Sequence, residues 1–451
     1  MKRKYCILSI IISAALLAGC LSACGESGTA TGGSSSDENT AAAVTTPDTT
    51  ADVEAPDVSG ATTIALSGQS ATATGTGAEV TDGMVTITAG GTYVVTGTMT
   101  EGRILVNAPK EEVTLVLQDA SITCSTGSPL YVYKSKATTL YLPEGTASTL
   151  TDGTDYTFSD SYSSAEEEEP NACLYSKSDL VIAGSGSLTV NANYNNGITG
   201  KDTLFIQKAS VTVTAVNHGI NGKDRLTIKD ADITVTSGGD ALRSTNDSDP
   251  TLGYLVITGS ALKLTAGEDG IQAETTLTIS GGTATVTTAG GAGQSISDDT
   301  SAKGLKAGTQ VTVTGGTFQL NCCDDAIHSN GDVTIDCDGS ATITGGIVVA
   351  AGSTGMAENF GTASTQGSIL VNLSGSAGQT ITLKDSDGNI LASFTPAKAF
   401  GCVVVSAPGV AQGGTYTIAA GGASTTVTME SLIYGSGMGG FGGMGDPGNR
   451  G

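Results

Sequence analysis

The sequence predicts an all-β chain whose body is a right-handed parallel β-helix of about 22 residues per coil, with a small C-terminal antiparallel β cap. Three observations predict it. First, a small-aliphatic pair recurs at Gly197-Ile198, Gly219-Ile220, Ala241-Leu242, Gly270-Ile271, Gly304-Leu305 and Ala326-Ile327, with Cys173-Leu174 as an earlier copy; the steps between the last six aliphatic members are 22, 22, 29, 34 and 22 residues. Second, a short alternating strand begins six residues after most anchors, as in Leu204/Ile206, Leu226/Ile228, Leu277/Ile279, Val311/Val313 and Val333/Ile335. A second strand usually starts seven residues later, as in Val211/Val213, Ile233/Val235, Ala284/Val286 and Phe318/Leu320. Alternation of this kind turns aliphatics inward and Thr, Lys and Asp outward. Third, no sustained helical pattern is present, and 22 residues are too few for a βαβ unit, which takes about 30 or more. Coils of three short strands that stack at about 4.8 Å satisfy all three observations, and the right hand follows from the rule for parallel crossovers.

The remaining elements follow in chain order. Lys2, Arg3 and Lys4 precede an apolar stretch ending near Gly19, too short for a confident membrane span and typical of an export signal. Leu17-Ala18-Gly19-Cys20 has the form of a bacterial lipobox, and Leu21-Ser22-Ala23-Cys24 offers the same pattern one step later. Residues 1–19 are therefore expected to be a lipoprotein signal peptide, with Cys20 (alternatively Cys24) acylated. Residues 20–59 read as a flexible tether rich in Ser, Thr and acidic residues. The β-helix is expected over 60–351, the cap over 366–434, and a disordered Gly/Met-rich tail over 435–451. No second apolar stretch is long enough to span a bilayer, so the expected location is the outer face of a bacterial cell membrane, held by lipid alone. A monomer is expected.

A net charge of −24 argues against nucleic acid and anionic lipid surfaces as partners. With no Trp and 4 % aromatics, flat platforms for stacking on sugars are scarce. Six cysteines beyond the lipobox, Cys124, Cys173, Cys322, Cys323, Cys337 and Cys402, show no zinc spacing and read as buried thiols, with a disulfide at Cys322 or Cys323 left open.

The repeat also stacks polar residues. Two positions before the anchor stand Asn196, His218, Asp240, Asp269, Lys303 and Asp325; one position earlier stand Glu268 and Asp324; just after the anchor stand Thr199, Asn221, Arg243, Gln272, Lys306 and His328. Asp240 and Asp269 fall on adjacent coils, where two carboxylates about 5 Å apart repel by roughly 3 kcal/mol. A proton, Arg243 or a bound cation must offset that charge. From spacing alone, a calcium site and a structural turn ladder remain open. Asp324-Asp325, with Lys303 and His328 nearby, reads either as a second acidic site or as a salt bridge. Insertions after Arg243 (Asn246, Asp247, Asp249) and before Lys303 (Asp298, Asp299) gather beside the same column, as they do on the binding face of a solenoid. Glu166 to Glu169 reads as a solvated loop.

Several motifs in order support a resemblance: Glu169-Pro170-Asn171-Ala172, the two Gly-Lys-Asp coils, Gly239-Asp240-Ala241-Leu242-Arg243-Ser244, Asp269-Gly270-Ile271-Gln272-Ala273-Glu274, Ser301-Ala302-Lys303-Gly304-Leu305-Lys306-Ala307, Asp324-Asp325-Ala326-Ile327-His328, and Thr382-Leu383-Lys384-Asp385 in the cap. The chain resembles the carbohydrate-binding domain-containing β-helix lipoproteins of clostridia and their relatives, a family related in fold to pectate lyases. The resemblance implies affinity for cellulose and acidic plant polysaccharides such as polygalacturonate, and calcium bound along the helix. Candidate metal ligands are then Asp240, Glu268, Asp269, Asp324 and Asp325, and candidate carbohydrate contacts are Arg243, Gln272, Lys306 and His328. An alternative reading is a calcium-dependent polysaccharide lyase using Lys303, Lys306 or Arg243 as base. A non-catalytic spacer or adhesin is the third.

Overall fold

The computed structural model describes residues 51–435 apart from 292–295, 298–299, 324–341, 344–346, 353, 355–356, 358, 363 and 397–398. Cys20, Cys24, Asp298, Asp299, Asp324, Asp325, His328 and Cys337 lie outside the described residues, as do the signal segment and residues 436–451.

Among the described residues there is no helix; the chain forms β-strands, most of them paired in parallel. Three ladders account for the body, and each repeat adds a strand, or half of one long strand such as Thr276–Thr288, to each. The anchor ladder runs through Leu130–Lys134, Ala172–Ser176, Asn196–Gly200, Ile220–Gly222, Leu242–Ser244, Ile271–Ala273 and Leu305–Ala307. Its register puts Leu174, Ile198, Ile220, Leu242, Ile271 and Leu305 in one file, as the spacing predicts. The file continues backwards through Leu130, Ile104 and Val85, and none of these anchors is more than 1 % exposed.

The second ladder aligns Leu180, Leu204, Leu226, Leu255, Leu277 and Val311. The third aligns Leu188, Val211, Ile233, Leu262, Ala284 and Phe318. The inward residues of the three ladders merge into one continuous apolar core. The residue before the anchor must be small because the third ladder presses on it. A Cβ on Gly219 would lie 2.4 Å from Val235 Cγ1 and 2.6 Å from the Ala241 carbonyl oxygen.

Both ends depart from this pattern. At the N-terminal end, Thr62–Gly68 pairs antiparallel with Ser70–Thr74, and Ala78–Thr81 with Met84–Ile87, so the region from 60 begins with hairpins rather than coils. At the other end Ile347–Gly352 pairs in parallel with the last long strand, Gln310–Asn321, and antiparallel with Phe400–Ser406. Residues beyond it form the expected antiparallel hairpins around a second core that includes Ile369, Val403, Ile418 and Val427. Ile433–Tyr434 is an exception, pairing in parallel with Ser368–Gly375.

Of the segment expected as a tether, residues 51–59 are described, and Asp52 and Val53 tie it to the coils. Asp52 accepts from Lys208, Lys229 and Gln207, each at 2.8 Å, and Val53 N–H donates to Gln207 Oε1 at 2.7 Å. Gln207 points outward by the alternation yet is 1 % exposed.

Candidate functional site

The turn that enters each anchor strand carries the column of Asn196, His218, Asp240 and Asp269, and the structure gives this column a structural task. Asn196 Oδ1 accepts the His218 N–H at 3.2 Å, Asp240 Oδ1 accepts the Asp269 N–H at 3.0 Å, and Asp269 Oδ1 accepts the Lys303 N–H at 2.8 Å. Each side chain satisfies the backbone of the next coil at a turn where the strand ladder cannot. At His218 the Asp240 N–H and Arg243 Nη1 approach the two ring nitrogens at 2.9 and 2.8 Å. A neutral imidazole accepts at only one nitrogen, so only one of these contacts is a full hydrogen bond.

The remaining carboxylate oxygens lie near His218, Arg243 and Lys306. Asp240 Oδ2 lies 3.3 Å from His218 Nδ1 and 3.5 Å from Arg243 Nη1. Burial alone would push the Asp240 carboxyl up; His218 and Arg243 outweigh it and hold the group below the ordinary aspartate range. Asp269 Oδ2 accepts from Lys306 Nζ at 2.9 Å, and Ser301 Oγ donates to Asp269 Oδ1 at 2.6 Å. Glu268 is half-buried, and its carboxyl is raised by burial first and then by Asp240.

The calcium set expected at Asp240, Glu268 and Asp269 is brought together only in part. The three do not converge: Asp240 and Glu268 approach His218, with one ligand atom of each within 4.8 Å of the others, whereas Asp269 turns to Ser301, Lys303 and Lys306. Calcium takes six to eight oxygen ligands. Here an imidazole occupies the third corner, and the charge is already offset by Arg243 and Lys306. Both alternatives open in the sequence keep a footing here: the side chain to backbone bonds are those of a turn ladder, and His218, Asp240 and Glu268 form a group that could hold a metal ion. The insertion residue Asn246 is likewise structural, since its Oδ1 accepts from Ser248 N at 3.0 Å and Asp249 N at 3.1 Å while Nδ2 donates to Asp224 at 2.6 Å.

The column after the anchor faces away from the apolar core; Thr199 and Asn221 in it are 3 % and 7 % exposed, and Arg243, Gln272 and Lys306 are half-buried. Thr199, Asn221, Arg243, Gln272 and Lys306 stand opposite one another in consecutive strands, so the structure brings together the three described carbohydrate candidates. Gln272 Nε2 donates to Glu274 Oε2 at 3.3 Å. The candidate bases of the lyase reading are committed elsewhere: Arg243 lies between His218 and Asp240, Lys306 is paired with Asp269, and Lys303 is 4 % exposed.

The same column has a different character toward the N-terminus, where Tyr131 and Tyr175 occupy it and are fully buried. The 153–171 segment, an insertion between Ala147–Asp152 and Ala172–Ser176, brings Tyr162, whose carbonyl accepts from Tyr131 Oη at 2.9 Å. Within that insertion Glu169 is not solvated. It is 7 % exposed and bonds Lys177 and Lys201 at 2.7 and 2.6 Å; burial opposes its ionisation, yet the two lysines hold its carboxyl at about 2. Tyr156 stacks on Tyr194 with ring centroids 4.1 Å apart at the same edge. The spacing of 44 residues from Leu130 to Leu174, twice the usual step, was the signal for this insertion. Cys124, Cys173, Cys322 and Cys402 are buried, and burial raises the Cys402 thiol to about 11.

The fold and this edge define an all-β protein of mostly parallel strands carrying a polar, internally charge-balanced row on one ladder. The model of the carbohydrate-binding domain-containing protein family matches residues 81–351, and the chain belongs to that family. A relative in Acetivibrio thermocellus, described as a carbohydrate-binding domain-containing protein, is 42 % identical over 204 residues, covering 45 % of this chain and 70 % of its own. A solved structure described as the polysaccharide lyase-like protein from C. thermocellum, gadolinium derivative, is similar with a TM-score of 0.50 and 31 % identity; the match covers 58 % of this chain and 98 % of that one.

Proposed function

We propose that the protein binds plant-type polysaccharide along the outward column of the anchor ladder, on a right-handed parallel β-helix. The observation that carries this reading is the row of Asn221, Arg243, Gln272 and Lys306 in consecutive strands, about 4.8 Å apart. Hydroxyls of a polymer running parallel to the coil axis would meet donors at a regular interval. Because Arg243 and Lys306 are balanced by Asp240 and Asp269, the row offers hydrogen bonds more than net charge. A neutral polymer such as cellulose suits it better than polygalacturonate, which the net charge of −24 repels. Calcium enters this proposal at Asp324 and Asp325 rather than at the Asp240–Asp269 turns, and there it would bridge an acidic polymer to the chain. His328 belongs to the same proposed contact row. Acylation at Cys20 would display a monomeric protein on the outer face of the cell membrane.

The test is a pull-down of the protein on insoluble cellulose and on polygalacturonate, with and without calcium, assayed in parallel for unsaturated product. Cellulose binding that ignores chelation is expected. Retention of neither polymer contradicts the proposal, and unsaturated product would replace it with the lyase reading.

A further inference from the structure

A second feature of the same edge lies toward the N-terminal end. A cleft of about 600 Å³ opens there, lined by the hairpin turn at Asp82–Gly83, the strand starts Met84 and Arg103, the turn at Thr126–Gly127, and Asp160 of the 153–171 insertion. Its volume falls within the range of about 300–1,000 Å³ typical of small-molecule sites. The turn at Thr126–Gly127 leads into Leu130, so the cleft occupies the same turn position as His218 and Asp240. It lies three coils from His218 and four from Asp240, about 14 and 19 Å along the stacking direction.

The cleft is pre-formed. Its floor is tightly packed backbone: a Cβ on Gly102, where φ is +145°, would fall 2.0 Å from the Gly83 carbonyl oxygen. One wall is fixed by the Arg103–Asp160 ion pair, whose side chains are 13 % and 29 % exposed. Glu101 is held by the Ser125 N–H at 3.0 Å. The lining carries three carboxylates, Asp82, Glu101 and Asp160, against the single cation Arg103, which leaves it two charges negative. Hydroxyls of Thr81, Thr126 and Thr157 complete a surface that can accept from and donate to sugar hydroxyls.

We propose that this cleft is a subsite for a short segment of a neutral glycan, and that its negative charge excludes uronates. The inference rests on the polysaccharide-binding reading and adds to it a second contact region of defined charge selectivity. Carboxylates are good acceptors for the paired hydroxyls of a neutral pyranose, and they repel a ligand that carries its own carboxylate.

The experiment is calorimetric titration of the full chain, in chelator and at low salt, with a cello-oligosaccharide and an oligogalacturonate. Three variants accompany the wild type: Thr126→Trp, which fills the cleft from an exposed turn; Glu101→Lys, which brings its net charge to zero; and Gln272→Ala, which touches only the distant row. Melting curves report whether each variant is folded. The wild type is expected to bind the neutral oligomer at least tenfold more tightly than the acidic one. Thr126→Trp should weaken neutral binding at least tenfold and Glu101→Lys should narrow the preference at least tenfold, while Gln272→Ala, on the distant row, should weaken short-oligomer binding less than Thr126→Trp does. If a folded Thr126→Trp binds the neutral oligomer like the wild type, the subsite is overturned while the row proposal stands. If Gln272→Ala alone abolishes short-oligomer binding, the segment sits on the row and the cleft assignment is wrong. If the wild type binds no glycan, short or polymeric, the reading beneath both fails.

Discussion

Removing Lys306 should expose how the acidic column is held together. Asp269 is 2 % exposed, and its side chain has three kinds of partner: the Lys303 N–H at 2.8 Å, Ser301 Oγ at 2.6 Å and Lys306 Nζ at 2.9 Å. Lys306→Met keeps the aliphatic stem and deletes the charge. At an effective dielectric near 20, opposite charges 2.9 Å apart attract by about 6 kcal/mol. The net cost is smaller, because the Lys306 side chain is 29 % exposed and the two neutral donors remain. Breaking a buried pair typically costs about 3–5 kcal/mol, and the lower end applies here. A loss of about 3 kcal/mol corresponds to a fall in melting temperature of about 6 °C in a domain of this size. Asp269→Asn in the same chain keeps an acceptor for the Lys303 N–H and removes the stranded charge. The double variant should therefore recover most of the loss, with a coupling energy of about 2 kcal/mol in a double-mutant cycle. Scanning calorimetry with urea titration measures both. A Lys306→Met protein within about 0.5 kcal/mol of wild type would refute the assignment of Lys306 as the counter-charge of Asp269.

Three further outcomes follow from the same geometry. Ile220→Asp places a charge in a file where Ile198, Ile220 and Leu242 are all 0 % exposed, and should cost several kcal/mol, with loss of the cooperative melt; an unchanged melt would mean the register is misassigned. Glu169 has its carboxyl depressed to about 2 from 4.5, so its contribution is present above about pH 4.5 and disappears as the pH falls toward 2. That contribution is about 2–3 kcal/mol, and Glu169→Gln should flatten the acid limb of the stability profile over that window, which acid titration followed by circular dichroism reads directly. Chelation should lower the melting temperature by the linkage relation if Asp324 and Asp325 hold calcium; Asp325→Asn should then abolish the response and Asp269→Asn preserve it, and the reverse pattern would return calcium to the Asp240–Asp269 turns.

The coils were legible in the sequence because their constraint is local and repeated. Ile198, Ile220, Leu242, Ile271 and Leu305 have to be aliphatic, and the residue before each has to be small against the third ladder. The coil of Leu255 was harder to find, since seven inserted residues move it from six to thirteen places after its anchor. The polar column was legible as a column, with a turn ladder among its open readings, but the particular side chain to backbone bonds it makes were not. Those bonds depend on where the next coil's N–H groups lie, which no spacing records. Glu169 shows the opposite difficulty: in a run of four glutamates nothing local distinguishes the one that the fold draws against Lys177 and Lys201. The N-terminal cleft is assembled from five separate stretches of chain, around residues 69, 81–84, 101–103, 124–127 and 157–160, so its residues carry no common pattern in the sequence.

The row on the anchor ladder is proposed to meet polysaccharide through hydrogen bonds rather than through net charge. Its most direct test is the affinity of the full chain for cellulose measured across a salt series, for wild type and for Gln272→Ala combined with Asn221→Ala. Wild-type binding should change little with salt, and the double variant should lose at least tenfold while keeping its melting temperature. Binding that collapses with salt, or a folded double variant that holds cellulose as the wild type does, would contradict it.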